Sequence, residues 1–187
     1  AQVVLHPLTL VNITDHYTRR NFDAKGADTQ KRVVGLLLGE QSDKKIEIFT
    51  SFEAMFDDED GKGNHANLEV DFIKRQKEQF AKVYKTFDLI GWYITGSGLT
   101  AEDIAVTHNQ VRENFCESPM IMVVDTNPPA SVHSLPVYIF ESVIKVDKGD
   151  ISVSVTKTKY TVESEESERV GIDTAMQVDF LGEENPT

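Results

Sequence analysis

Two kinds of spacing alternate along this chain. Val33 to Gly39 is an unbroken apolar run ending in glycine, the pattern of a strand buried on both faces, and Ile46 to Phe52 alternates like a neighbour with one wetter side. The polar Gln41-Ser42-Asp43-Lys44 between them predicts a hairpin. Pro7 to Arg19 instead carries apolar residues at helical spacing. Leu10, Ile13 and Tyr17 form one stripe while Leu8 and Val11 lie on another arc, so this helix has room for two neighbours. Phe80, Val83, Tyr84 and Phe87 repeat the helical pattern with lysines largely elsewhere, predicting an amphipathic helix that ends near Asp88. Leu89 to Thr95 reads as a strand, Thr100 to Phe115 as a helix, and Met120 to Asp125 as a short strand. Val137 to Val146 and Ile151 to Val162 read as a hairpin turned at Lys148-Gly149-Asp150. Strands and helices around one sheet predict an α/β or α+β domain over residues 1–162. The Glu-rich residues 163–187 are expected to begin a further helical extension and then fray.

Charge removes several functions. With 31 acidic against 19 basic residues the formal charge is -12, which repels phosphate backbones and anionic lipid. Neither nucleic-acid nor membrane-surface binding is expected, and no apolar run approaches the ~18 residues of a membrane span. A single cysteine, Cys116, builds no disulfide framework and fits a reducing compartment, so cytoplasm and nucleus are the expected locations.

The candidate chemistry gathers after Leu89–Thr95. Thr100-Ala101-Glu102-Asp103 has the spacing of a capping box, which makes Asp103 a helix cap, and His108 falls on the apolar stripe of the same helix. On an ideal helix Asp103 and His108 stand roughly 140° apart, too far round to share a metal. Gly96-Ser97-Gly98-Leu99-Thr100-Ala101 matches the dinucleotide fingerprint, and Asp125 closes the next strand where a ribose-binding acid would stand. The hairpin that follows is not a further strand-helix-strand unit, which counts against a nucleotide-binding oxidoreductase. His6, His16, His65 and His133 are dispersed, and surface or capping roles are expected of them. Asp57-Asp58-Glu59-Asp60-Gly61 reads as a solvated loop, because an EF-hand alignment on Gly61 would put Phe56 at the first ligand.

A resemblance then covers nearly the whole chain. Its segments are Leu5-His6-Pro7-Leu8, Asn12-Ile13-Thr14-Asp15-His16, Val33-Val34-Gly35-Leu36-Leu37-Leu38-Gly39, Ser51-Phe52-Glu53, Gly91-Trp92-Tyr93, Asp103-Ile104, Leu135-Pro136-Val137 and Glu165 to Asp173. In that order they resemble an MPN domain, the cytidine-deaminase-like fold of the JAMM metalloproteases. The resemblance puts a general acid/base Glu of catalytic members at Arg32, two zinc-binding histidines at Ile94 and Gly96, and the last metal ligand at Asp103. An isobutyl group and a hydrogen atom offer zinc no lone pair. The resemblance thus implies an MPN-minus member, with no enzymatic activity and no cofactor. Lys77-Glu78-Gln79-Phe80, Glu117-Ser118-Pro119, Leu135 to Ile144 and Tyr160-Thr161 look like the MPN-minus subunits of the COP9 signalosome. Gln30-Lys31-Arg32-Val33-Val34-Gly35 and Phe56 to Asp60 look like those of the proteasome lid, but that group typically keeps His-Thr-Gly-Pro where this chain has Ile94-Thr95-Gly96-Ser97. The signalosome group is the closer of the two. It implies a scaffold paired with a catalytic MPN-plus subunit in a complex that removes the ubiquitin-like protein Nedd8 from cullins, with homodimerisation open to the isolated chain. Leu10, Ile13, Tyr17, Phe80, Tyr84 and Phe87 are the candidates for core or partner contact.

Overall fold

The centre of the molecule is a pair of strands buried along most of their length. In the computed structural model, which describes residues 2–23, 31–57, 66–127 and 136–163, β2 (Val34–Gln41) pairs antiparallel with both β3 (Lys45–Glu53) and β6 (Asp88–Thr95). β1 (Gln2–Leu5) lies parallel to β3 on one side. On the other side β7 (Met120–Val124) lies parallel to β6 and is followed by the hairpin β8 (Val137–Asp147) and β9 (Asp150–Thr158). β10 (Tyr160–Val162) returns to pair with β1, giving the eight-stranded order β10-β1-β3-β2-β6-β7-β8-β9. The predicted strand from Ile151 to Val162 is therefore two strands, broken at Lys159 because its two halves pair with opposite ends of the sheet. β4 (Phe56–Asp57) and β5 (Asn67–Leu68) form a small separate antiparallel ladder.

Each face of the sheet has its own core. Helix α1 (Pro7–Arg20) covers one, burying Leu10 and Ile13 against Val3, Leu5, Leu37 and Tyr93. Two such side chains contribute roughly 1.5–3 kcal/mol each. Helix α2 (Val70–Val83) and the helix after β6 cover the other, where Trp92 and Ile94 pack with Leu36, Ile73 and Val111. The sheet switches faces within one strand. The register shift beside Gly39 leaves Ile48 on the α1 side and Phe52 on the α2 side, since one extra residue inverts every side chain after it.

Helix α2 ends at Val83, before the predicted boundary near Asp88. Tyr84 and Phe87 leave the helix to stack on each other at 4.8 Å between ring centroids, and Phe87 stacks on Phe49 at 4.6 Å. The predicted helix from Thr100 to Phe115 is not uniform either. Asp103–His108 is a π-helical turn that runs into α3 (Asn109–Asn114), so residues five apart come round to one side and the ideal-helix separation of Asp103 from His108 does not apply. Both side chains are buried. Gly26, His65, His133, most of the acidic run and residues 164–187 lie outside the described residues.

Candidate functional site

The site lies where β6 stops. Thr95 is fixed by Val33 from both ends: its N–H donates to the Val33 carbonyl at 3.1 Å, and its hydroxyl accepts the Val33 N–H at 2.9 Å. Gly96 donates to the Val124 carbonyl at 3.0 Å and then turns the chain at φ +142°, a conformation open to glycine. The next four residues lead to a reciprocal cap. Thr100 N–H donates to Asp103 Oδ2 at 2.9 Å and Asp103 N–H donates to Thr100 Oγ1 at 3.1 Å, as the capping-box spacing predicts.

Arg32 enters this turn from the residue pair preceding β2. Its Nε donates to the Thr95 carbonyl at 2.8 Å, its Nη1 to Asp103 Oδ1 at 3.2 Å, and its Nη2 to Asp103 Oδ2 at 3.0 Å and to the Gly98 carbonyl at 3.2 Å. Asp103 is 1% exposed and the Arg32 side chain 16%, so a forked, charge-assisted pair joins the start of β2 to the start of the π turn. The four positions that the resemblance assigned to catalysis and metal fall into two sets. Arg32, Gly96 and Asp103 meet: a Cβ at Gly96 would stand 2.9 Å from Arg32 Nε. Ile94 points away from the cation, wholly buried in the α2-side core.

These residues do not fit a divalent metal. The one carboxylate of the set has both oxygens on a guanidinium, and the other two places carry a hydrocarbon and no side chain. Nor does the turn fit a pyrophosphate. The N–H at the helix start already holds Asp103's carboxylate, and the Gly98 carbonyl faces the arginine. A cleft of about 260 Å³ remains beside Arg32, lined by Tyr17, Lys31, Gly96, Ser97 and Asp125 among others.

Two buried histidines support this end of β6, and the sequence placed only one of them inside. Trp92 Nε1–H, a donor only, reaches His108 Nδ1 at 2.9 Å, so the imidazole is the neutral tautomer with its proton on Nε2. Burial, with Arg112 next, lowers His108 to about 4. His16 is not at the surface, as its dispersed position predicted, but 2.7 Å from the Tyr93 hydroxyl beneath α1. Burial, then Arg19 and Arg20, lowers it to about 4 as well. His6 pairs with Glu47 at 2.9 Å and stacks on Phe49 instead of capping α1 through its side chain.

A second concavity, about 490 Å³, runs between α1 and α2 over β3 and is lined by Leu8, Asn12, Phe52, Phe72, Phe80 and Tyr84 among others. Here the candidates for core or partner contact divide. Leu10 and Ile13 are 9% and 0% exposed and belong to the core, as do the packed faces of Tyr17 and Phe87. The apolar residues that α1 leaves in water are Leu8 at 40% and Val11 at 57%, the other arc of the same helix. The partly buried Phe80 lines the groove from α2, and Tyr84, at 36%, lines it from just past the helix end.

Comparison with known proteins agrees with this architecture. Residues 1–116 match the family described as JAB1/Mov34/MPN/PAD-1 ubiquitin protease. A Dictyostelium discoideum protein named COP9 signalosome complex subunit 6 is 36% identical over 183 residues, 98% of this chain and 56% of its own length. Its Drosophila melanogaster namesake is 34% identical over 172 residues, 91% of this chain and 48% of its own. An Arabidopsis thaliana protein named COP9 signalosome complex subunit 6a is 31% identical over 186 residues, 90% of this chain and 56% of its own. The chain therefore spans about half the length of the curated relatives it matches. A mixed sheet with helices on both faces, the Gly91-Trp92-Tyr93 strand end and the family match over most of the chain lead to one assignment: the chain belongs to the JAB1/Mov34/MPN/PAD-1 ubiquitin protease family.

Proposed function

We propose that the chain is the non-catalytic MPN subunit of a COP9 signalosome, in cytoplasm and nucleus, where it pairs with the catalytic MPN-plus subunit and helps to hold it in a complex that removes Nedd8 from cullins. The observation that carries this reading is the forked contact of Arg32 with Asp103. A general base must accept a proton, and a guanidinium, charged at every physiological pH, donates in all directions instead. The names of the relatives favour the signalosome over the proteasome lid as the assembly. The chain's contribution is positional, made through the exposed arc of α1 and the groove beside it, where Leu8, Val11 and Tyr84 offer apolar area to a partner helix.

Affinity purification of the tagged protein from cells tests the assignment. The catalytic MPN-plus subunit and the other signalosome subunits are expected to come with it. Recovery of proteasome-lid subunits instead, or of neither set, would overturn it, and so would stoichiometric zinc retained through dialysis together with isopeptidase activity of the chain alone.

A further inference from the structure

The mismatch between this site and a metal goes further than missing ligands, because a different cation already stands there. We propose that the guanidinium of Arg32 is the resident cation of the degenerate site, the group that holds its turn together, and that Gly96 is glycine because of it. The proposal rests on the non-catalytic reading of the chain and adds what fills the site.

A bound cation in such a turn would neutralise the buried carboxylate and gather the oxygens around it. Arg32 does both. It neutralises Asp103, which is 1% exposed, through two donors, and it collects the Thr95 and Gly98 carbonyls from either side of Gly96. Four contacts from one planar group thus tie the end of β6, the turn and the start of the π-helical segment to the chain entering β2. A planar fork makes these contacts at fixed angles, which an ammonium on a flexible stem does not reproduce.

Gly96 completes the argument. A Cβ there would lie 2.9 Å from Nε, 3.3 Å from Nη2 and 3.4 Å from Cζ of Arg32, so the side chain of any other residue would contest the guanidinium's place. The backbone at φ +142° disfavours a side chain independently. Arginine at 32 and glycine at 96 are therefore a matched pair. Gly96→His alone would rebuild no metal site, and its side chain would displace the cation that supports the turn.

Thermal unfolding and amide exchange of the purified protein test this. Arg32→Ala leaves a buried carboxylate uncompensated, and a fall in Tm on the order of 10 °C is expected, with faster exchange confined to residues 96–103. Low-millimolar methylguanidinium should recover part of the loss, while methylammonium or sodium chloride at equal ionic strength should not. Arg32→Lys should remain well below the parent. If Arg32→Ala is recovered only as aggregate, refolding with and without methylguanidinium gives the answer: recovery supports the proposal, and none overturns it. The second arm is a double-mutant cycle, in which Gly96→Ala is expected to lower Tm by several degrees more when Arg32 is present than in the Arg32→Ala background. Equal losses would show that only the backbone conformation matters and would remove the pairing of the two positions. An Arg32→Ala or Arg32→Lys protein with the parent's Tm and exchange would overturn the cation role. These readings need no partner, so they can fail while the co-purification succeeds, and the reverse.

Discussion

Trp92 donates its indole N–H to Nδ1 of His108 at 2.9 Å in the core behind β6, and that bond fixes the histidine's tautomer while burial keeps the ring neutral. Protonating Nδ1 would set two N–H groups against each other in a side chain that is fully buried. His16, beside the Tyr93 hydroxyl on the opposite face of the sheet, is held neutral by burial in the same way.

A pH dependence follows from the pair. Each imidazole titrates at about 4 in the folded chain against a usual value of 6.5, so between those values the unfolded state binds the extra protons. Stability is then complete above pH 6.5 and falls as the pH drops toward 4. The slope is at most about 1.4 kcal/mol per pH unit for each histidine. Urea unfolding from pH 7.5 to 4.5 should show the midpoint falling through this window. Nitrogen-15 spectra of the imidazoles should show His108 neutral with its proton on Nε2 at pH 5.5; a histidine spectrum fully titrated near pH 6.5 would contradict the assignment.

The ring of Tyr93 lies where Gly35 has no side chain. A Cβ at Gly35 would fall 2.3 Å from two ring atoms and 2.4 Å from the Phe52 carbonyl, and the opposing backbone cannot give way as a flexible side chain would. Gly35→Ala is expected to cost about 3 kcal/mol or more, the upper end of overpacking in a core, with the Tyr93 contact to His16 displaced. Denaturant titration measures the loss, and a midpoint within error of the parent would contradict it.

The hairpin tip allows a change in the other direction. Lys148 has φ +50° and Gly149 φ +88°, two consecutive left-handed residues joining β8 to β9. Lysine bears a steric cost there that asparagine largely avoids, and Asn-Gly is the preferred pair for a two-residue turn of this hand. Lys148→Asn should raise stability by roughly 0.5–1 kcal/mol, seen as a rise of about 1–4 °C in Tm.

How much of this could be read beforehand depended on how local the cause was. Helix α1, the β2–β3 hairpin, the Lys148-Gly149 turn and the capping box were legible, because each is set by residues a few positions apart. β1 and β10 were not: strands of four and three residues carry no periodicity, and their pairing depends on where the sheet's edges meet. The π turn was invisible because apolar spacing alone does not separate one inserted residue from a regular helix. Arg32 and Asp103 were each singled out through the resemblance, but they stand 71 positions apart and no local pattern joins them. Their opposite charges at two positions of one inferred site were the available signal. His16 was misplaced for the opposite reason: polarity suggested the surface, and only tertiary packing supplies the tyrosine that keeps it inside.

The two arcs of α1 make the last prediction, because the same helix carries the core and the surface proposed for a partner. Ile13 is fully buried, and Ile13→Ala should cost about 2–5 kcal/mol in any setting. Leu8 and Val11 are 40% and 57% exposed, and Val11→Asp should leave the unfolding midpoint of the isolated chain within about 0.5 kcal/mol of the parent. If the outer arc receives the catalytic MPN-plus subunit, a Leu8→Asp/Val11→Asp protein should remain folded and yet lose that subunit in co-purification, because an aspartate facing an apolar partner would have to be buried unpaired. A milder pair, Leu8→Ala/Val11→Ala, should weaken recovery without abolishing it. Retention of the partner by the folded double aspartate variant would move the contact elsewhere on the molecule and leave α1's outer arc as ordinary surface.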